Sequence, residues 1–167
     1  IYGYLWKWNI TAVSNLSSIF KDYDYTNSSS SSYPDKNVPS KWDTSKVTNM
    51  NNLFYNTKFT SNSEVKSMLN SWSITKVNNM DGLFQNSRGS IPNINGWTDI
   101  NASTVNNMFN NASNGNFSDN MLNWTFKNVT NPPCNCSDIL SHTNVIDLNY
   151  PDELVSTCPA CFGITPN

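Results

Sequence analysis

The sequence has few charged residues, a single histidine and no long apolar run, and each shortage excludes a class of protein. Charged residues make up 13% of the chain, and their balance leaves a net charge of −2. Such a chain has no positive field to attract nucleic acid or an anionic membrane. It also lacks the run of about 18 apolar residues that crosses a bilayer. We therefore expect no nucleic-acid partner and no membrane span.

Signatures of catalysis are missing as well. The only histidine, His142, lies in a polar segment, and no nucleophile elbow, zinc-protease helix or phosphate loop is present. The acidic residues are scattered, so no carboxylate pair stands out for glycoside hydrolysis. Asp22, Asp24 and Asn27 have a spacing that calcium could use, but the glycine and glutamate of an EF-hand loop are absent. We predict that the chain is not an enzyme and holds neither cofactor nor metal.

Amide and hydroxyl side chains take the place of charge. The 167 residues include 30 Asn, 23 Ser and 14 Thr, together with 6 Trp, 7 Tyr and 8 Phe. Disordered chains are poor in aromatic residues, and this length is sufficient for one domain with a core. The composition therefore predicts a folded protein with an uncharged polar surface.

A repeated pattern that begins at tryptophan is the main signal. Residues 42–54 read WDTSKVTNMNNLF, and residues 72–84 read WSITKVNNMDGLF. In four full copies, apolar residues fall 0, 5, 8, 11 and 12 positions from the tryptophan, and a truncated fifth copy begins at Trp124. The full copies comprise Trp8, Val13, Leu16, Ile19 and Phe20; Trp42, Val47, Met50, Leu53 and Phe54; Trp72, Val77, Met80, Leu83 and Phe84; and Trp97, Ala102, Val105, Met108 and Phe109.

This pattern predicts a short solenoid in which the repeats share one continuous core, because a unit of this length cannot bury its own apolar face. Positions +5, +8, +11 and +12 follow one face of a helix, although +5 to +8 could equally form a short strand. Ser61 and Glu64 have capping-box spacing and predict a second helix that runs towards Trp72. Recurring Asn15, Asn49 and Asn79 predict a ladder of side-chain amides that bond the backbone of neighbouring repeats.

The copies that begin at Trp42 and Trp72 resemble the repeat of BspA-like leucine-rich-repeat surface proteins, and the resemblance covers roughly residues 8–130. It implies an α/β repeat fold, a short leucine-rich-repeat-like solenoid of four to five units. It also implies a role at the cell surface, in adhesion or envelope architecture. Ala102 departs from the pattern where valine is usual, and the repeat lengths vary.

The four cysteines all lie near the C-terminus. We predict two domains, with solenoid repeats over residues 1–131 and a disulfide-rich C-terminal cap over residues 132–167, because so short a segment builds little core without cross-links. Three disulfide pairings are possible, and a four-thiolate zinc site or a redox C-x-x-C pair are alternatives. The cysteines are Cys134, Cys136, Cys158 and Cys161.

Nine N-x-S/T sequons occur along the chain. A composition so rich in asparagine, serine and threonine produces most of them by chance. Taken with the cysteines and the family resemblance, they nevertheless predict N-linked glycans on an extracellular protein, with Asn101, Asn111 and Asn116 favoured. The candidates are Asn9, Asn15, Asn27, Asn101, Asn111, Asn116, Asn123, Asn128 and Asn135.

The N-terminus alternates aromatic and other residues, a pattern typical of a strand. This aromatic strand, with Tyr2, Tyr4, Trp6 and Trp8 on one face, could cap the first repeat or dock on a neighbouring subunit. A loop over residues 25–40 contains five consecutive serines and is either flexible or O-glycosylated.

Together these features predict an extracellular or cell-surface glycoprotein with a structural or adhesive role. Its expected partners are other protein subunits, through self-assembly into a surface filament or fibre, and covalent glycans. The alternative is a carbohydrate-binding, lectin-like module. The periodic tryptophans favour packing over sugar binding, because a tryptophan at the most regular position of a repeat usually lies in the core.

Overall fold

The structure is a computed structural model that describes residues 5–27, 39–61, 63–94, 96–97, 99–112 and 125–126. Regular elements in these residues are short. One α-helix, α1, spans Ser63–Ser67, and two 3-10 helices span Leu5–Lys7 and Tyr25–Asn27. The strands β1 (Lys58–Phe59) and β2 (Arg88–Gly89) pair in parallel, as do β3 (Asp99–Ile100) and β4 (Thr125–Phe126).

Most of the hydrogen-bonded backbone lies in four segments. Each begins at the tryptophan of a full repeat copy and ends at the residue 14 positions later. We call residues 8–22, 42–56, 72–86 and 97–111 segments 1 to 4. Single parallel bridges join Asn15 to Asn49, Asn49 to Asn79, and Asn79 to Thr104. Each segment therefore lies beside the next in the same direction and in the same register.

Most backbone hydrogen bonds between the segments have the same direction. The N–H groups at positions +8, +10, +12 and +14 donate to the carbonyl oxygens at +7, +9, +11 and +13 of the following segment, over 2.8–3.0 Å. Leu16 donates to Asn49 in this way, and Met50 donates to Asn79. At +6 the direction is reversed, because the N–H groups of Thr48, Asn78 and Ser103 donate to the +6 carbonyl of the preceding segment. Each junction thus combines four bonds in one direction with a reversed bond at +6.

Left-handed backbone at two positions of every segment accompanies this arrangement. Residues at +10 and +14 have φ between 52° and 61°. Only glycine adopts this conformation without cost, and asparagine and aspartate tolerate it better than other residues. Asparagine is therefore abundant partly because it tolerates the left-handed backbone, and not only because it provides an uncharged polar surface. The residues are Ser18, Asn52, Gly82 and Asn107 at +10, and Asp22, Asn56, Asn86 and Asn111 at +14.

The core contains aromatic columns that cross the segments, packed among buried aliphatic and methionine side chains. Phe20, Phe54, Phe84 and Phe109 stack in order, with ring centroids 5.4–5.5 Å apart and planes within 9° of parallel. The apolar positions of segments 2 to 4 are all buried, so the predicted burial of the repeat positions is confirmed there. The exceptions are in segment 1, where Trp8 and Ile19 are 41% and 44% exposed and Val13 is only partly buried.

Each buried tryptophan also ties its segment to the residues that precede the previous segment. The indole N–H of Trp42 donates to the Leu5 carbonyl at 2.8 Å, and that of Trp72 to the Pro39 carbonyl at 3.0 Å. Trp97 repeats the contact with Leu69 at 3.3 Å. In all three cases the acceptor lies three residues before the preceding tryptophan. A buried indole needs such a partner, so tryptophan supplies both volume and register.

The predicted fold class, an α/β leucine-rich-repeat-like solenoid with a disulfide-rich cap, is wrong. The described residues contain one five-residue helix and two-stranded parallel sheets, not a strand and a helix in each repeat. Positions +5 to +12 match a helical face in spacing, but tight turns with left-handed residues bury them instead. The four predicted cap cysteines, and residues 132–167 as a whole, lie outside the described residues.

Two local predictions also need correction. Leu5–Lys7 form a 3-10 helix where the aromatic alternation predicted a strand, and Tyr2 and Tyr4 lie outside the described residues. The helix predicted from the capping-box spacing exists, but α1 ends at Ser67. Met68, Leu69 and Trp72 continue in turns and are still buried.

Candidate functional site

The outer surface of the segments carries a row of side chains at position +14, and two pairs of these side chains are hydrogen-bonded across segments. The Asn56 amide donates to the Asp22 carboxylate at 2.7 Å, and the Asn111 amide donates to the Asn86 side-chain oxygen at 2.8 Å. Asp22, Asn56 and Asn111 are exposed. We call Asp22, Asn56, Asn86 and Asn111 the amide row. It presents a short polar side chain at each repeat, a carboxylate at Asp22 and an amide at the other three positions.

The amide ladder predicted at position +7 does not form as expected. The side-chain oxygens of Asn15, Asn49 and Asn79 each accept the N–H two residues later in their own segment, at 2.8–2.9 Å. These are local Asx-type turns, and the bonds between segments at this position are made by the backbone. The sequence signal for the true row was the recurrence of Asp or Asn at +14, where the backbone is left-handed.

Two predicted glycosylation sites are well exposed at the surface of segment 1. The side-chain oxygen of Asn9 accepts hydrogen bonds from the Thr11 backbone N–H at 3.1 Å and the Thr11 hydroxyl at 2.8 Å. The side-chain oxygen of Asn15 accepts the N–H of Ser17 at 2.8 Å. Both asparagines are exposed. The hydroxyl residue of each sequon therefore bonds the side-chain oxygen of the asparagine. The side-chain nitrogen, which is the atom that would carry a glycan, takes no part in these bonds.

The favoured candidates Asn101 and Asn111 are less suitable. Their side-chain nitrogens already donate hydrogen bonds, Asn101 to the Thr75 carbonyl and Asn111 to Asn86. A glycan on either nitrogen would compete with a bond between segments. The structure thus ranks Asn9 and Asn15 above the two that sequence reasoning favoured.

The remaining sequence-predicted sites are not placed by the structure. Nothing is described for the side chain of Trp6 or Asn27. Outside the described residues lie Asn116, Asn123, Asn128, Asn135, Cys134, Cys136, Cys158 and Cys161.

This surface has few charged groups, and Asp24 and Asp43 are hydrogen-bonded by residues close to them in the sequence. The Thr26 hydroxyl donates to Asp24 at 2.6 Å and, with Lys58 3.5 Å away, holds the pKa of Asp24 below its usual range. Hydrogen bonds from Ser45 lower the pKa of Asp43 in the same way. Within the described part of the chain, no group of three or more His, Cys, Asp or Glu residues could hold a metal ion.

The tryptophans do not form a sugar-binding platform along the segments. Trp42, Trp72 and Trp97 are buried, and Trp42 and Trp72 stack on each other with centroids 5.9 Å apart. Trp8 is exposed and stacks on Trp42 at 6.3 Å. Of these four side chains, only Trp8 presents surface on which a sugar ring could lie.

Comparison with known proteins gives one family and no close relative. The sequence model of the family described as "Mycoplasma protein of unknown function, DUF285" matches residues 35–146. No curated protein and no solved structure matches significantly. Among the described residues, no helix is long and apolar enough to cross a membrane.

Proposed function

The chain belongs to the family described as Mycoplasma protein of unknown function, DUF285, and we propose that it is an extracellular structural or adhesive protein of the cell surface. In this proposal it acts through its outer surface, assembles with other protein subunits and carries N-linked glycans.

The observation that carries the proposal is the amide row. The stacked segments place Asp22, Asn56, Asn86 and Asn111 at the same position of each repeat, so a partner can meet a similar polar group several times. Binding at several equivalent positions multiplies weak contacts into a strong one. This geometry suits adhesion or assembly, in which an extended surface is used instead of a pocket.

Two further features support the proposal. The resemblance of the repeats to those of BspA-like surface proteins supports a location at the cell surface and an adhesive role. The low charge of the chain, 13% of residues, favours association, because a surface with few charges resists contact poorly. Glycans on exposed sequons would mask part of that surface and leave the rest for partners.

The location is tested on intact cells that produce the protein. Antibodies raised against the folded chain should label unpermeabilised cells, and brief external proteolysis should remove the label. A cytosolic protein detected in parallel should remain unlabelled until the cells are permeabilised. Labelling that appears only after permeabilisation would contradict the proposal. In the same native material, glycopeptide mapping should find Asn9 or Asn15 modified; peptides in which both asparagines are unmodified would rule out glycans at these two sites.

The cysteines give a separate prediction. We propose that Cys134, Cys136, Cys158 and Cys161 form two disulfides, as expected for a secreted protein. Alkylation of freshly isolated protein without reductant should then leave its intact mass unchanged, and alkylation after reduction should add four groups. Thiols that react before reduction, or zinc that co-purifies with the protein, would contradict this pairing.

A further inference from the structure

Segment 1 has an edge of backbone groups that lack the bonds their counterparts make. In segments 2 to 4, the N–H at +6 and the carbonyls at +7, +9, +11 and +13 all bond the preceding segment. The corresponding groups of segment 1 form no hydrogen bond with any described residue. They are the N–H of Ser14 and the carbonyls of Asn15, Ser17, Ile19 and Lys21. The edge therefore presents one donor and four acceptors to whatever covers it.

Apolar side chains are exposed at the same edge. Ile19 is 44% exposed, although its counterparts in segments 2 to 4 are fully buried. Trp8 is 41% exposed, although Trp42 is only 3% exposed. Segments 2 to 4 are each covered by a preceding segment, whereas no described segment precedes segment 1. The edge thus combines unbonded backbone groups with exposed apolar surface.

A glycosylation sequon lies at this edge and is missing from the equivalent positions of the other segments. Asparagine recurs at +7 in segments 1 to 3, but only Asn15 has a hydroxyl residue, Ser17, at +9, where segments 2 and 3 have asparagine and aspartate. Asn15 is also exposed, whereas Asn49 and Asn79 are half-buried. The chain thus offers a glycan at +7 only in the segment that no described segment covers.

The chemistry of a glycan matches that of the edge. The side-chain oxygen of Asn15 accepts the backbone N–H of Ser17 at 2.8 Å, and the side-chain nitrogen bonds no described residue. Hydroxyl groups both donate and accept hydrogen bonds, so sugar hydroxyls can bond the carbonyls and the N–H of Ser14. The C–H face of a sugar ring can pack on Ile19. A glycan attached at the edge meets these groups at a high effective concentration, which a free partner lacks.

We propose that an N-linked glycan on Asn15 covers the edge of segment 1, with its hydroxyls on the free carbonyls and its rings over Ile19. The glycan closes this end of the stack and keeps other strands from adding to an unpaired edge, a hazard that proteins generally guard against. It leaves the amide row of segments 2 to 4 available to partners. This inference rests on the proposed function for the presence of glycans, and it adds the sequon at which a glycan has a structural role.

The test compares two substitutions of Ser17 in the full chain, secreted by eukaryotic cells that attach N-linked glycans. Ser17→Ala removes the sequon but keeps the bond to Asn15, because that bond uses the backbone N–H of residue 17. Ser17→Thr keeps the sequon and is the matched control. Peptide mapping should find the glycan on Asn15 in the wild type and in Ser17→Thr, and should find Asn15 unmodified in Ser17→Ala.

Hydroxyl-radical footprinting then measures the exposure of Ile19. Oxidation of Ile19 should be at least about twofold slower in the wild type and in Ser17→Thr than in Ser17→Ala, because a bulky glycan covers part of the side chain. The buried counterpart Leu53 should stay unreactive in all three proteins, which shows that the fold is kept. If Ser17→Ala does not fold, enzymatic release of the glycan from the folded wild type gives the same comparison.

Each outcome decides the question. A glycan on Asn15 together with slower oxidation of Ile19 in the glycosylated proteins supports the contact. A wild type without a glycan on Asn15, or equal oxidation of Ile19 with and without the glycan, would overturn it. Neither of these results bears on whether the protein reaches the cell surface. The labelling of intact cells and the mapping of Asn9 therefore still test the proposed function independently.

Discussion

Phe84→Ala should lower the free energy of unfolding by about 3–5 kcal/mol, the range for removing a buried aromatic ring from a packed core. Phe84 is fully buried in the middle of the phenylalanine column. Its ring stacks on Phe54 at 5.4 Å and on Phe109 at 5.5 Å. Alanine would therefore remove two ring contacts and leave a cavity between segments 2 and 4. Urea denaturation followed by tryptophan fluorescence measures the loss.

Ile19→Ala is the matched control for this change. It also replaces a large apolar residue of the repeat pattern, but Ile19 is 44% exposed and its truncation should cost less than about 1 kcal/mol. Similar losses for the two variants would mean that the column does not carry the stability of the stack. The comparison thus tests the difference between segment 1 and the segments that follow it.

The sequence predicts the core well because burial depends on where apolar residues recur. Met50, Met80 and Val105 share position +8 and are all fully buried. The same spacing does not determine the backbone that brings these residues together. Positions +8, +11 and +12 fit one face of a helix, yet they also fit turns in which residue +10 is left-handed, and Asn52 or Asn107 adopts that conformation. Periodicity alone could not choose between the two.

The amide row was visible in the sequence but was read at the wrong position. Asn49 and Asn79 recur at +7 within the most similar part of the repeats, which favoured a ladder there. Local turn formation was the stronger competitor, because an asparagine oxygen reaches the N–H two residues later without any partner segment. At +14, the amides of Asn56 and Asn111 instead reach the segment before them.

The exposed edge of segment 1 could not be predicted from the repeat. Trp8 and Ile19 obey the pattern as well as their counterparts, so the pattern predicts that they are buried. They are exposed because no described segment precedes segment 1 in the stack, which is a property of position and not of residue type. Such an exception to a well-kept pattern marks a surface available for contact.

Glycine is required at one close approach between strands. Gly89 lies in β2 with φ of 81°, and its Cα faces Phe59 of β1 in the parallel pair. A Cβ atom at Gly89 would lie 2.2 Å from the Phe59 carbonyl oxygen. That oxygen belongs to the backbone, so it can move away only if the pairing of Lys58 with Arg88 and of Phe59 with Gly89 shifts.

Gly89→Ala should therefore cost about 2–4 kcal/mol, the sum of a left-handed alanine and a backbone clash. Gly96→Ala is the matched control, because its Cβ would approach the Asn70 carbonyl oxygen no closer than 3.3 Å and its φ is not left-handed; we expect it to cost less than about 1 kcal/mol. Thermal denaturation of both variants beside the wild type measures the difference. Equal melting temperatures would mean that β1 and β2 are not held at this distance in solution. If only Gly89→Ala lowers the melting temperature, part of the stability of the stack comes from the two-residue pairing of β1 with β2 and not from the aromatic columns.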